Sequence, residues 1–337
     1  MRKHFIYLTA LLLSLSFVIF SCKKDDEDED INFMEGILTY SLPKYLTASQ
    51  EVEFSVTGIT VPTSGLKYLW STPGFSSDSL VAQSGTLNAP AVVGDYTIIL
   101  TVSHPDYSSK TSTRGVTVID PDNPEAFNGI VPGDYSFTDT RDGHEYYYNK
   151  IGDLYWFTDN LKWIGAGKPY ENEYALIPVY GMLYTWDQAT GGVAATGLGN
   201  GPQGVCPDGW SIPTREDWEN LGTALNGSPL IFDNPWTGIG SKASANPLMN
   251  SKSLWKYSPN NTKTNTAGWN AIPGGSSSNN FFSYSNLNQF GFWWSSSQKD
   301  SNNGEYRYIH FDSGNFPYNF AGKNFFGASV RCVKMAD

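Results

Sequence analysis

Apolar and polar positions alternate along most of this chain with period two, and helical periods are scarce. Residues 51–56, 66–70, 94–103 and 115–119 each alternate β-branched or aromatic side chains with polar ones, and Pro, Gly and Ser separate them. That is the pattern of half-buried strands joined by turns. Strands at such spacing with no helical period between them predict an all-β sandwich over residues 33–119. Tyr68 and Trp70 fall on one face of the second strand, which makes Trp70 a natural plug between two sheets.

The pattern changes character after residues 120–126, where Pro121 and Pro124 fix φ and predict a short semi-rigid spacer. From 127 to 337 the strands are more aromatic and the loops longer. Residues 135–138 and 145–148 flank Asp142-Gly143, the dipeptide favoured by a two-residue primed turn, and predict a hairpin. Further strands are predicted in 153–161, 178–186, 291–297, 305–311 and 328–334. One helix is well signalled. Pro207-Asp208-Gly209 makes a turn, Trp210 and Ile212 follow on one face, and Thr214 stands as N-cap with Asp217 in the capping-box position. Trp218, Leu221 and Leu225 then repeat at helical spacing, and Glu216 and Asp217 suit the helix dipole.

The N-terminus carries an address. Arg2, Lys3 and His4 precede an apolar run over residues 5–20 that is short for a bilayer span, and Ser21-Cys22 ends it. Residues 18–22 resemble a bacterial lipobox, which implies a lipoprotein signal over residues 1–21 and lipid on Cys22; an ordinary cleaved signal is the alternative. Residues 22–32 then form a tether, because Lys23-Lys24 and the six carboxylates of 25–30 repel one another into an extended, solvated segment. This run resembles the acidic stretch behind the lipidated cysteine in surface-exported lipoproteins of the Bacteroidetes. The resemblance implies display on the outer face of the outer membrane, with a periplasmic orientation as the alternative.

The chain has 3 cysteines. With Cys22 as anchor, Cys206 and Cys332 are left to pair in an oxidising compartment. Such a bridge would close most of the C-terminal half, worth about 5 kcal/mol by loop entropy. Two unpaired buried thiols are the alternative.

Composition narrows the function classes. With a formal net charge of −11, nothing basic is gathered for nucleic acid. No second apolar segment approaches spanning length, so the N-terminal lipid is the only membrane attachment implied. Of 4 histidines, only His144 and His310 lie beyond residue 126, and no metal-ligand spacing exists. The carboxylates of the 120–126 linker lack the glycine and terminal glutamate of an EF-hand loop. There is no Gly-x-Ser-x-Gly elbow. Glu171, Glu173, Asp187 and Asp233 are the carboxylates that could serve glycoside hydrolysis, but nothing in their spacing pairs them. The expectation is a non-enzyme without a cofactor.

Two resemblances organise these readings. The first segment, with Trp70 and with Tyr96 where a corner tyrosine would stand, resembles a PKD or related immunoglobulin-like module, which implies a spacer or docking role. Downstream, Asp142-Gly143, Tyr155-Trp156, Asn160-Leu161, Tyr180-Gly181, Tyr184-Thr-Trp186, Cys206-Pro-x-Gly-Trp210, Trp269-Asn-Ala-x-Pro-Gly-Gly275, Phe292-Trp-Trp-Ser-Ser296, Tyr306-Arg307 and Ser329-Val-Arg-Cys332 follow one another in order. Together they resemble the Fibrobacter succinogenes major paralogous domain. That family is considered similar to C-type-lectin-like folds. The implied architecture is therefore an all-β immunoglobulin-like sandwich followed by a loop-rich, disulfide-closed α+β domain of C-type-lectin type over residues 127–337.

Calcium-dependent sugar binding lacks its signature, since Trp269-Asn270 is followed by Ala271 where the aspartate would be. A ligand site is expected instead on an aromatic platform with polar neighbours. The motif residues Trp156, Trp186, Trp210, Trp218, Trp269, Trp293 and Trp294 are expected in the core. Trp163, Tyr170, Tyr174, Trp236, Trp255 and Tyr257 lie in Gly-, Asn- and Ser-rich loops, where function concentrates, and are the ligand candidates, with residues 279–284 and 315–320 as further ones. The expected partners are a glycan or peptide ligand and an outer-membrane importer of the SusC/SusD type. The competing expectation is a structural or adhesive surface protein that contacts another protein.

Overall fold

The structure is a computed structural model that describes residues 32–226 and 236–337. The signal, Cys22 and the acidic tether therefore lie outside the described residues. The chain is mostly strand, with long loops and one helix of 12 residues, Arg215–Asn226.

The first part folds as two sheets face to face. One joins Asn32–Phe33, Tyr107–Ile119, Gly94–His104, Lys67–Ser71 and Ser79–Val81 in that order, with Tyr45–Thr47 also paired to Tyr107–Ile119; the other joins Glu35–Tyr40, Glu51–Val61 and Ser84–Asn88. Alternation fixes which side of each strand is buried, as in Glu51–Val61, where Val52, Phe54 and Val56 point inward. Trp70 sits between the sheets, with its ring centroid 5.8 Å from Tyr40 and 5.0 Å from Phe54, and its indole N–H donates to the Ala82 carbonyl. The Tyr96 hydroxyl donates to the Val92 carbonyl at 2.7 Å, the bond a corner tyrosine makes. The strands Glu35–Tyr40 and Ser84–Asn88 carry no strong signal: Gly36 and Gly85 interrupt them, and Ile37 faces solvent.

Residues 120–126 fold into turns. The amides of Asn123, Ala126 and Phe127 bond back to the carbonyls of Asp120 and Asn123, and Ala126 is buried. The turns bring the two parts of the chain into contact. The buried Glu173 carboxylate accepts the backbone N–H groups of Lys44 and Tyr45 at 2.9 and 3.2 Å, and Lys44 reaches Glu171. Lys252 pairs with Asp95, and the Asn250 side-chain amide donates to the Val118 carbonyl. Ile119 joins Tyr170, Leu176 and Leu254 in a small shared core.

In the second part, the strands Leu154–Phe157 and Val333–Met335 pair antiparallel, so its beginning and end close on each other. Beside them, Cys206 and Cys332 form a disulfide across a sequence separation of 126, surrounded by Trp210, Ile212 and Val330. The helix starts as its sequence dictates. The Thr214 hydroxyl accepts the Asp217 N–H, Asp217 accepts the Thr214 N–H at 2.8 Å, and Trp218 and Leu221 are buried. Burial raises the pKa of Asp217 above the usual carboxylate value. The hairpin departs from expectation. Strands Tyr135–Thr138 and Glu145–Ile151 are joined by residues 139–144 rather than by a two-residue turn, because the buried Asp139 gathers the loop, accepting from the Arg141 amide and guanidinium.

Asn160 ties the scattered motifs together. Its side-chain oxygen accepts from Trp293 Nε1 at 2.9 Å and Arg331 Nε at 3.0 Å, while its amide nitrogen donates to the Tyr180 carbonyl and the Ser329 hydroxyl. Every site this side chain can use is filled. Arg331 is itself fully buried, lies 4.0 Å over the Trp269 ring, and donates to the carbonyls of Trp269 and Asn270. Burial pushes its pKa down to about 9.

Asn160→Ala is expected to cost about 3–5 kcal/mol, because it leaves two buried donors, each worth about 1–3, without an acceptor. Urea unfolding followed by near-UV circular dichroism measures this, and a loss below about 1 kcal/mol would contradict the assigned role. Replacing both Cys206 and Cys332 by serine is expected to lower stability by about 2–5 kcal/mol in the same assay. An unchanged midpoint would mean that the bridge contributes nothing to closure.

Candidate functional site

The site is built on two antiparallel strands, Phe290–Gln298 and Asn303–His310. Their register pairs Phe290 with His310, Phe292 with Tyr308 and Trp294 with Tyr306, so six rings occupy one face. The opposite face carries Trp293, Arg307 and Ile309, all buried. Trp293 packs 4.9 Å from Trp269 and is held by Asn160, which fixes the sheet from behind.

The aromatic face grades from core to solvent. Trp294 is fully buried and Phe292 nearly so, while Phe290, Tyr306, Tyr308 and His310 are half-buried. Phe290 stacks on Phe292 at 5.3 Å and lies 4.3 Å from His310, and Phe326 extends the row 5.1 Å beyond Tyr306. Next to these rings a groove of ≈ 420 Å³ is lined by Phe290, Tyr308, His310, Ser313, Asn315 and Pro317. Its volume lies in the range of small-ligand sites. Burial, with Tyr308 adding, pushes the Tyr306 hydroxyl up to about 12. Burial also lowers the pKa of His310, opposed by Asp312 and helped by Lys256, which favours the neutral imidazole. The groove thus offers ring faces, a phenol, a neutral imidazole and an amide. That set can stack on C–H surfaces and exchange hydrogen bonds with hydroxyl groups.

The loop aromatics singled out from the sequence do not gather into one site. Trp236 and Trp255 are each only 2% exposed and belong to the core. The Arg307 guanidinium covers the Trp236 ring at 3.7 Å, and the Trp255 indole donates to the Ala245 carbonyl. Tyr170 is also buried, beside Tyr284. All three rings lie in the core, and of them Trp255 also lines a surface cleft. Glycine-, serine- and asparagine-rich loops have little side-chain bulk of their own, so here the large rings turn inward to fill the space beneath them. Trp163 is half-buried under the Arg141 guanidinium at 4.3 Å. Tyr174 and Tyr257 are exposed, and Tyr257 shares a cleft of ≈ 280 Å³ with Trp255. Of the further segments, Phe282 is exposed and Phe316 is buried.

The polar candidates are likewise dispersed. Glu171 and Glu173 face Lys44 and Tyr45, Asp187 opens the short helix Trp186–Thr190, and Asp233 lies outside the described residues. His144 lines a separate cleft of ≈ 230 Å³ with Glu145, Asp159, Lys162 and Arg331, where charges of both signs mix. Among the described residues, no group of three or more His, Cys, Asp or Glu could hold a metal ion. The aromatic ladder escaped the sequence reading. Its signal was present as rings at 290, 292 and 294 and again at 306, 308 and 310, but only the pairing register joins the two series.

Comparisons with known proteins place the second part of the chain. No curated protein sequence matches. Among solved structures, a marsupial T cell receptor is similar at 15% identity over 38% of this chain and 66% of that one, just under two thirds of its length, with a TM-score of 0.17. Overlap that slight bears on neither fold nor function. The family model of the Fibrobacter succinogenes major domain matches residues 150–334. This span exceeds half of the chain and contains Asn160, both cysteines, the aromatic ladder and Arg331, and the chain belongs to that family.

Proposed function

We propose that this chain is a surface-displayed lipoprotein whose second part binds an extracellular glycan along the aromatic ladder. The observation that carries this reading is a row of half-buried rings, Phe290, Tyr308 and His310, beside a groove with Ser313 and Asn315. Aromatic faces with adjacent polar groups suit sugar rings, which have an apolar C–H face and hydroxyl edges. The ladder is also rigid, because its reverse face is anchored through Trp293 and Asn160, so little ordering entropy opposes binding.

The architecture fits presentation. We read the first part as an immunoglobulin-like sandwich, supported by Trp70 between two sheets and the Tyr96 corner bond. We read the second as a C-type-lectin-like fold, supported by the paired terminal strands and the disulfide behind them. Contacts through Glu173, Lys252 and Asn250 make the sandwich a stiff support. Cys22 and the acidic tether would supply the anchor and the outward address, and capture beside a SusC/SusD-type importer is the use we favour.

Titration of the full-length chain with polysaccharides and peptide digests, read by tryptophan fluorescence, tests the ladder. Phe290→Ala and Tyr308→Ala are each expected to weaken glycan binding by about 5- to 20-fold, the equivalent of about 1–2 kcal/mol for a lost stacking contact. Tyr174→Ala should leave it unchanged. Capture of peptides alone, insensitive to both ladder variants, would favour an adhesive protein contact instead. For the address, metabolic labelling with a tritiated fatty acid should mark the wild type and not Cys22→Ala, and protease added to intact cells should remove the wild-type protein. Unlabelled wild type would overturn the lipid anchor.

A further inference from the structure

We infer that the cleft of ≈ 280 Å³ beside Trp255 and Tyr257 is a subsite for an oxyanion, carboxylate or sulfate, carried on a sugar ring of the bound glycan. The inference rests on the glycan reading above and names the chemistry of part of its ligand. In a chain of formal net charge −11, this cleft is lined by Lys256 and Lys263 together with Trp255, Tyr257 and Asn261, and no carboxylate is in its lining.

Both ammonium groups lie against Phe311 or Trp255. Lys263 Nζ donates to the Phe311 carbonyl at 3.4 Å and lies 5.1 Å from the centroid of the Trp255 ring, while Lys256 Nζ lies 4.9 Å from the centroid of Phe311. Neither is in an ion pair with a carboxylate among the described residues. Lys263 is half-buried, and that burial lowers its pKa, with Asp312 acting in the opposite sense. A partly desolvated cation held in place gains from an arriving oxyanion more than a free surface lysine does. Asp312 is the competing charge nearby. Its Oδ1 is occupied by the Ser258 hydroxyl, a residue of the cleft lining, and by the Asn260 amide, so Asp312 stands behind the lining and is not part of it.

Position completes the argument. Residues 310–313 form the wall between the two depressions: His310 and Ser313 line the ladder groove, and Asn261 of the cleft donates to the carbonyls of Phe311 and Ser313. On this account a chain of sugar rings laid over Phe290 and Tyr308 continues past this wall toward the lysines. The Tyr257 ring, 85% exposed, offers a second stacking face there, which suits a charged sugar better than a bare anion.

Calorimetric titration of the full-length chain with a uronate trisaccharide, a sulfated trisaccharide, their neutral counterpart and inorganic sulfate tests the assignment. The account expects at least one charged trisaccharide to bind about tenfold tighter than the neutral one, with the excess lost as salt rises. The uronate and sulfate arms identify which oxyanion the cleft takes. Lys256→Gln and Lys263→Gln should each erase the excess, Lys263→Gln should also leave neutral binding intact, and Phe290→Ala should weaken charged and neutral ligands alike. Equal affinity for charged and neutral sugars, or an excess that survives both lysine variants, overturns the subsite alone. Inorganic sulfate binding as tightly as the sulfated sugar overturns its sugar-borne character. If no saccharide binds, the ladder reading falls with it.

Discussion

One buried polar junction holds the second part of this protein in register. Asn160, Trp293, Arg331 and the carbonyls of Tyr180, Trp269 and Asn270 come from five separate stretches of chain and meet with their hydrogen bonds satisfied. An unpaired polar group in such a place costs more than a well-made bond contributes, so the junction acts mainly against wrong arrangements. A domain with so little helix and such long loops has few local constraints. The junction and the Cys206–Cys332 bridge supply the long-range ones.

The same junction shapes the functional surface. Trp293 and Trp294 are neighbours on one strand and point to opposite faces, as strand geometry requires. Trp293 is fixed by Asn160 behind the sheet, so the rings in front keep a single arrangement. Support also comes from the first part of the chain, where Glu173 caps the amides of Lys44 and Tyr45. On the function proposed above, this stiff unit would present a fixed row of rings to a polymer.

What the sequence made legible was local or strongly patterned. The capping box at Thr214 and Asp217, Trp70 as the plug between sheets, the Tyr96 corner and the seven motif tryptophans in the core all follow from short-range spacing or from size and apolarity. The cysteine pairing followed from counting. Features set by distant partners were not legible. Asp139 reshapes the hairpin loop through Arg141, and Trp236 is buried because Arg307, far along the chain, covers it. The ladder needed the register of two strands, which neither strand's sequence states by itself. Loop composition proved a poor guide to exposure, since Trp255 and Tyr257 are two residues apart and have opposite environments.

The most direct measurement of the central claim is a crystal structure with a bound oligosaccharide from the best-binding polymer. The account predicts sugar rings stacked along Phe290 and Tyr308, with hydroxyl groups hydrogen-bonded to His310 and Asn315, and with the ladder side chains unmoved from their unliganded positions. Well-defined sugar bound elsewhere, with the ladder bare, would contradict it.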